Sequence, residues 1–272
     1  MPRDGSAGYS EYTRQKQEHL WLILNTIGGV LNGIIQRHQW VNPYILWWDL
    51  NGGSGCYYNG SIGSPLLALQ MARKSDLPFE ASAWEIDDES HGRLVQNLVR
   101  IGRLRLVDTM NRQAILRTED TRDAIRYTVY PSDYNVSIPK CLKALQSMAK
   151  SRYGMIYSDE NGRLPPFKLL RQCAEVLEYC DIIIHVAATP IKRQFYSSVH
   201  PLSQRLSEMV KTIGKAFWIV REPHEHFQWT FLIGTNWDSF PTFKRHGFHG
   251  LWTPIGREIM RRLDCNLEEY IG

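Results

Sequence analysis

The sequence predicts an α/β fold: a doubly wound, mostly parallel sheet covered by helices on both faces. Three observations carry this expectation. Short apolar, β-rich runs alternate with amphipathic segments along most of the chain. Four of those runs terminate at or just before Asp49, Glu85, Asp133 and Asp159, which sets carboxylates along the edge where such sheets bind ligands. Two further apolar runs, separated only by a short polar loop containing Pro223, read as a closing antiparallel hairpin.

The elements follow in order. Residues 12–38 place Leu20, Ile23, Leu24, Ile27 and Leu31 at helical spacing, a long helix weakened by Gly28, Gly29 and Gly33 and closed by Pro43. A buried strand begins at Tyr44 and reaches Asp49, and a glycine turn follows it. Ser64 then reads as an N-cap with Pro65 at the first helical position. Phe79 to Glu85 is the second strand and Glu89 to Ile101 an amphipathic helix. Ile125 to Tyr130 is the third strand, with a helix expected over about Ile138 to Ser151. Gly154 to Asp159 is the fourth strand, and Pro166 to Tyr179 is helical. Asp181 to Ala187 is the near-continuous apolar run of a strand buried on both faces. A helix over Leu202 to Ile213 leads to the hairpin of Ala216 to Arg221 and Gln228 to Gly234. The expected organisation is a helical extension over residues 1–40, one main domain over 41–240, and an aromatic and basic flap with a helix over 241–272, packed on the same domain.

Composition sets outer bounds. A chain of 272 residues with 43% hydrophobic and 22% charged side chains is that of an ordinary globular protein with room for a sizeable core. A net charge of +4 permits nucleic-acid binding without demanding it. Five cysteines, an odd number with no C-x-x-C spacing, read as free thiols in a reducing cytosol, so the expected location is cytoplasmic. The amino terminus lacks a signal-peptide pattern, and no apolar run approaches the roughly 20 residues of a membrane span.

The chemistry concentrates at the strand ends. In Asp49-Leu-Asn-Gly-Gly-Ser-Gly55, glycines let backbone N–H groups approach a ligand, and the carboxylate can accept from ribose or amine donors. The same turn also fits a plain strand-to-helix connection. Asp87 and Asp88 lie close enough to Glu85 to share or replace its role. Pro131-Ser132-Asp133 is also a helix-cap signal, and Asp159-Glu-Asn-Gly162 is also turn-like.

Taken together, these residues resemble the class I S-adenosylmethionine-dependent methyltransferases, whose seven-stranded sheet carries an antiparallel strand near the end. The resemblance covers about residues 40–240. The Asp49–Gly55 turn, the Gly63-Ser-Pro-Leu-Leu-Ala-Leu69 segment and the Trp84-Glu-Ile-Asp87 strand end look like the three-Cys-motif-partner methyltransferase-like group, often found in phages and mobile elements. The resemblance implies S-adenosyl-L-methionine as cofactor. Asp49, Asn51, Gly53 and Gly55 would lie at its methionine end, with Asn51 replacing the family's first glycine. Glu85 would bind the ribose hydroxyls and Asp133 the adenine amino group. The fourth strand end would carry catalysis: Asp159 accepting a hydrogen bond from a target amine, Asn161 adding a carbonyl acceptor, and Tyr157 stacking on the target base. Glu160 stands where that motif has proline.

The expected activity is methyl transfer to a base amino group of DNA or RNA, adenine N6-like. Lys192 and Arg193 beyond the fifth strand, with Lys244 and Arg245 in the aromatic tail Phe240 to Trp252, would contact nucleic acid. Arg93 and Arg100 belong to a further basic region. Two alternatives stay open: a catalytically silent binding partner with this fold in a phage or defence system, and an NAD-dependent oxidoreductase. No metal site is expected, because His224-x-His226 and His246-x-x-His249 lack an obvious third ligand. His185, inside a strand, reads as a satisfied core residue.

Overall fold

The computed structural model describes residues 11–38, 42–76, 78–110, 112–118, 125–148, 151–160, 163–187, 206–223, 229–238 and 241–264. The chain divides into two compact units, Met1–Ile156 and Tyr157–Gly272.

In the first unit, helix α1 (Glu11–Arg37) buries Leu20, Ile23, Leu24, Ile27 and Leu31 and packs on α2 (Ser64–Lys74). The cap of α2 is Gly63 in an extended conformation, with no side-chain cap bond, rather than Ser64. Ser64 and Pro65 are already helical, a place where proline's missing N–H leaves no bond unmade.

Strands β1 (Ile45–Asp49) and β2 (Phe79–Trp84) pair in parallel, Ile45 opposite Phe79 and Asp49 opposite Ala83. All five residues of β1 are buried, which is why it reads as an unbroken apolar run. After β2 come α3 (Asp88–Arg100), β3 (Arg105–Met110) and β4 (Gln113–Arg117), and then β5 (Ile125–Tyr130) pairs parallel to β2. Strand β4 lies antiparallel to β5, and β3 lies antiparallel to β4 with an irregularity between Leu106 and Asp108. Helix α4 (Tyr134–Leu145) starts earlier than expected because Asp133 caps it, and it carries Pro139 in its interior.

Strand β6 (Gly154–Asp159), buried at all six positions, carries the chain across the unit boundary. Just before it, the Tyr153 carbonyl accepts from the Leu46 N–H at 2.9 Å, so β6 starts beside β1.

The second unit continues with α5 (Phe167–Val176), β7 (Cys180–Ala187), α6 (Leu206–Lys211), β8 (Phe217–Arg221) and β9 (Trp229–Thr235). Strand β9 lies antiparallel to both β7 and β8, so those two run in the same direction. The chain then forms α7 (Pro241–Lys244), β10 (Phe248–Gly250), which pairs antiparallel with β8, and α8 (Pro254–Asp264).

Ten strands are therefore present among the described residues where seven were expected. The additions, β3, β4 and β10, all pair antiparallel, while β1, β2 and β5 are parallel neighbours. β3 escaped the sequence reading for a physical reason: it is exposed along its whole length, so no buried alternation marks it. Among the described residues no helix is long and apolar enough to cross a membrane.

Candidate functional site

In the first unit the glycine turn and the second-strand acid form one hydrogen-bonded cluster. Asp49 ends β1 fully buried, and its Oδ1 accepts the Asn51 N–H at 3.3 Å. Asn51 is not among the non-glycine residues with positive φ, so an L side chain can stand there without strain.

Two later glycines serve packing. The Gly52 N–H donates to the Trp84 carbonyl at 3.0 Å, stitching the turn to the end of β2. A Cβ at Gly52 or at Gly55 would come within 2.9 or 2.8 Å of a Leu94 methyl, so the turn lies directly on α3. Gly55 also has φ +74°. Gly53 differs: its φ is +56°, and an added Cβ would meet nothing within 4 Å. This is the open side of the turn.

Glu85 follows β2 and closes the cluster. Its carboxylate accepts the Asp87 N–H at 2.9 Å, and the backbone N–H groups of Gly53 and Ile86 lie close enough to favour its charged form. Burial raises its pKa above the ordinary carboxylate value, and these N–H donors oppose that shift. The neighbouring acids have other duties. Asp87 caps α3 through the Ser90 N–H at 2.8 Å, and Asp88 pairs with Arg112 on the surface. Glu85 is therefore the strand-end acid that meets the glycine turn.

Asp133 sits three residues beyond β5 as the N-cap of α4. Its Oδ1 accepts the Asn135 N–H at 2.8 Å and the Asn135 side-chain amide at 3.0 Å. Nearby, Trp84 and Tyr130 stack with centroids 5.1 Å apart, and Trp48 meets Trp84 edge-on. The Tyr130 hydroxyl is pushed up to about 12, chiefly by burial.

The second unit holds a different constellation at the end of β6. Asp159 is only 9% exposed. Its Oδ1 accepts from Nδ1 of His185 on β7 at 2.8 Å, and its Oδ2 accepts from the Tyr157 hydroxyl at 3.2 Å. His185 packs against the rings of Trp229 and Phe231. Arg221 lies over Trp229, 5.4 Å from the ring centroid, and burial pushes its pKa down to about 10. This Tyr157–Asp159–His185 chain went unseen in the sequence, where His185 read only as core.

Tyr157 cannot take the expected base-stacking role, because its side chain is 1% exposed and its hydroxyl serves Asp159. Glu160, in the proline position, accepts from the Ser158 hydroxyl at 3.0 Å. Asn161, Lys192, Arg193, His224 and His226 lie outside the described residues. Lys244 and Arg245 are exposed at the end of α7. His249 bonds Glu222 at 2.7 Å, and no group of three His, Cys, Asp or Glu among the described residues could hold a metal ion.

No protein-family model matches the chain, and no curated protein matches it in sequence. Solved structures with a similar course of chain include Trm1 from Pyrococcus horikoshii in complex with S-adenosyl-L-methionine, at 13% identity over 84% of this chain and 56% of that one, TM-score 0.47. The bifunctional kinase-methyltransferase WbdD aligns at 12% identity over 87% of this chain and 44% of its own, TM-score 0.48. A precorrin-6y C5,15-methyltransferase from Geobacter metallireducens aligns at 11% identity over 88% of this chain and 97% of its own, TM-score 0.39. The chain spans about half the length of Trm1 and of WbdD.

Proposed function

We propose that this chain is an S-adenosylmethionine-dependent methyltransferase of the class I type that methylates a base amino group in nucleic acid. The observation that carries the cofactor half is that the β1 turn is stitched to the end of β2 by the Gly52 N–H on the Trp84 carbonyl, which sets the open glycine Gly53 beside the acid Glu85. The residues present fit the cofactor. Gly53 offers backbone approach on a side where a Cβ would find empty space. Glu85, kept partly protonation-prone by burial, gains from accepting two hydroxyl bonds. Asp49, Asn51 and Gly55 shape the methionine end, and Asp133 offers a carboxylate for an exocyclic amine. The Gly63–Leu69 segment and the Trp84–Asp87 strand end align this site with the three-Cys-motif-partner methyltransferase-like group.

When bound, the cofactor supplies an electrophilic methyl group on a sulfonium. The chain's own contribution is positional, as an in-line displacement requires. Asp159 would accept the N–H of the target amine and so orient its lone pair for the displacement. A carboxylate has about four acceptor sites, so the amine can share an oxygen with Tyr157 or His185. Those two partners fix the carboxylate's plane. Asn161 adds an acceptor, and Lys192, Arg193, Lys244 and Arg245 grip phosphates. The second reading is a catalytically silent partner of the same fold, favoured by Glu160 in the proline position.

Radiolabelled methyl transfer to DNA, RNA and protein, with Asp159→Ala as control, tests this. Label should appear in a nucleic acid and vanish in the variant. Label in protein alone would overturn the substrate assignment, and unchanged transfer by the variant would remove Asp159 from the mechanism.

A further inference from the structure

The second unit holds an aromatic cavity of about 410 Å³ that the methyl-transfer site does not use. Its walls include Trp237, Trp252, Phe248 and His249, and Lys244 and Asp238 reach its rim. Its floor is firm: Phe243 and Phe248 stack with centroids 4.8 Å apart and are each 1% exposed.

Trp252 is the unusual member. It is 54% exposed, yet it is held in place. Its indole lies flat against Gly250 of β10, where an added Cβ would collide with the ring, and Phe217 meets it edge-on at 5.8 Å. The turn beneath it is cross-tied: the Thr253 hydroxyl donates to the Gly250 carbonyl at 2.7 Å and accepts the Gly256 N–H at 3.1 Å. Arg257 donates to the Trp252 carbonyl at 2.5 Å. A large ring seated on one face and open on the other is a preorganised stacking platform, with little side-chain entropy left to lose.

Position and charge narrow the occupant. His249 in the cavity wall lies opposite Val220, Val220 opposite Leu232, and Leu232 opposite Ile184, the neighbour of His185 on β7. At about 4.8 Å per strand spacing, three spacings put that wall roughly 14 Å from β7, which carries His185. It is thus a separate site in the same unit. Lys244, Arg245 and His246 beside it are exposed, against Asp238 at its rim and Glu222, whose charge is taken up by the bond to His249. That balance attracts phosphate and disfavours a cationic guest.

We propose that this cavity takes one unpaired nucleobase of a single-stranded segment, stacked on Trp252, with a flanking phosphate on Lys244, several nucleotides along the strand from the base being methylated. The inference rests on the nucleic-acid reading above and adds the strand state of the substrate and the place where it is held. Stacking on an indole face is tolerant of sequence, so the contact contributes affinity and reach without reading bases.

The test is anisotropy of labelled 12-nucleotide single strands, RNA and DNA, on the full chain, with calorimetry of S-adenosylhomocysteine as a check on the other site. Trp252→Ala should weaken oligonucleotide binding by roughly 5- to 150-fold, the loss of one stacked base. Trp252→Tyr should restore most of it. Lys244→Ala should reduce the slope of log affinity against log salt by about one. All three variants should keep wild-type binding of S-adenosylhomocysteine. Equal single-strand binding by wild type and Trp252→Ala would overturn the cavity assignment while leaving the nucleic-acid reading intact. Absence of any binding to the wild type would overturn both. Displacement of the strand by a trimethyllysine peptide, rather than by a second oligonucleotide, would reassign the cavity to a methylammonium guest and overturn the proposal.

Discussion

Gly53→Ala distinguishes a turn that holds a ligand from one that merely joins a strand to a helix. At φ +56° an alanine costs about 1–2 kcal/mol in backbone strain. In the protein alone its methyl meets nothing within 4 Å, so no steric cost is added. For a chain of this size that strain lowers Tm by about 2–8 °C. Gly55→Ala is the comparison. It shares the backbone strain at φ +74° and adds a contact of 2.8 Å with a buried Leu94 methyl. Overpacking of that kind costs a further 1–3 kcal/mol or so. Stability should therefore order as wild type, Gly53→Ala, Gly55→Ala in thermal melts. Affinity for S-adenosylmethionine should not follow that order. A methyl in the open space beside Gly53 intrudes on the ligand, and calorimetry should show a loss of about 100-fold or more, worth about 2.7 kcal/mol. Wild-type affinity in Gly53→Ala would refute the assignment of this turn as the methionine seat.

Three further outcomes follow from other groups. Tyr157→Phe removes a donor to the buried Asp159 carboxylate, so stability should fall by about 1–3 kcal/mol in denaturant melts and methyl transfer should drop with cofactor affinity unchanged. Glu85 binds the cofactor's hydroxyls as the carboxylate, and burial raises its pKa above the ordinary 4.5, so cofactor affinity measured by calorimetry should weaken as pH falls through that raised value; a flat profile from pH 8 to 4.5 would count against Glu85. Asp181 is raised by burial from 3.8 to about 7, opposed by Thr235 and Lys215. The native state then binds the extra proton between those values, so its contribution is fully present near pH 4 and is lost as pH rises to about 7. Asp181→Asn should flatten that part of the stability profile, and an unchanged slope would contradict it.

The parts of the fold legible in the sequence are those whose burial is regular. β1, β6 and β7 are buried almost end to end and read as apolar runs, and β1 and β6 end in the acids Asp49 and Asp159. β5 and β4 alternate, but β3 beside β4 is exposed along its whole length and left no pattern to follow. Cap identity shifted in α2 because a residue in extended conformation, rather than a side-chain oxygen, ends the turn before it. In the site, the turn and Glu85 were legible because glycines and a strand-end carboxylate are local signals. The Tyr157–Asp159–His185 chain was not, since it joins neighbouring strands through two side chains far apart in sequence. The seat of Trp252 depends on Gly250, a relation visible only once the chain folds back on itself.

Calorimetric titration of the full chain with S-adenosylmethionine, S-adenosylhomocysteine and NAD tests the central claim most directly. The account predicts saturable one-to-one binding of the first two, weakened by Glu85→Gln, and no binding of NAD. Binding of NAD alone, or of none of the three, would contradict it.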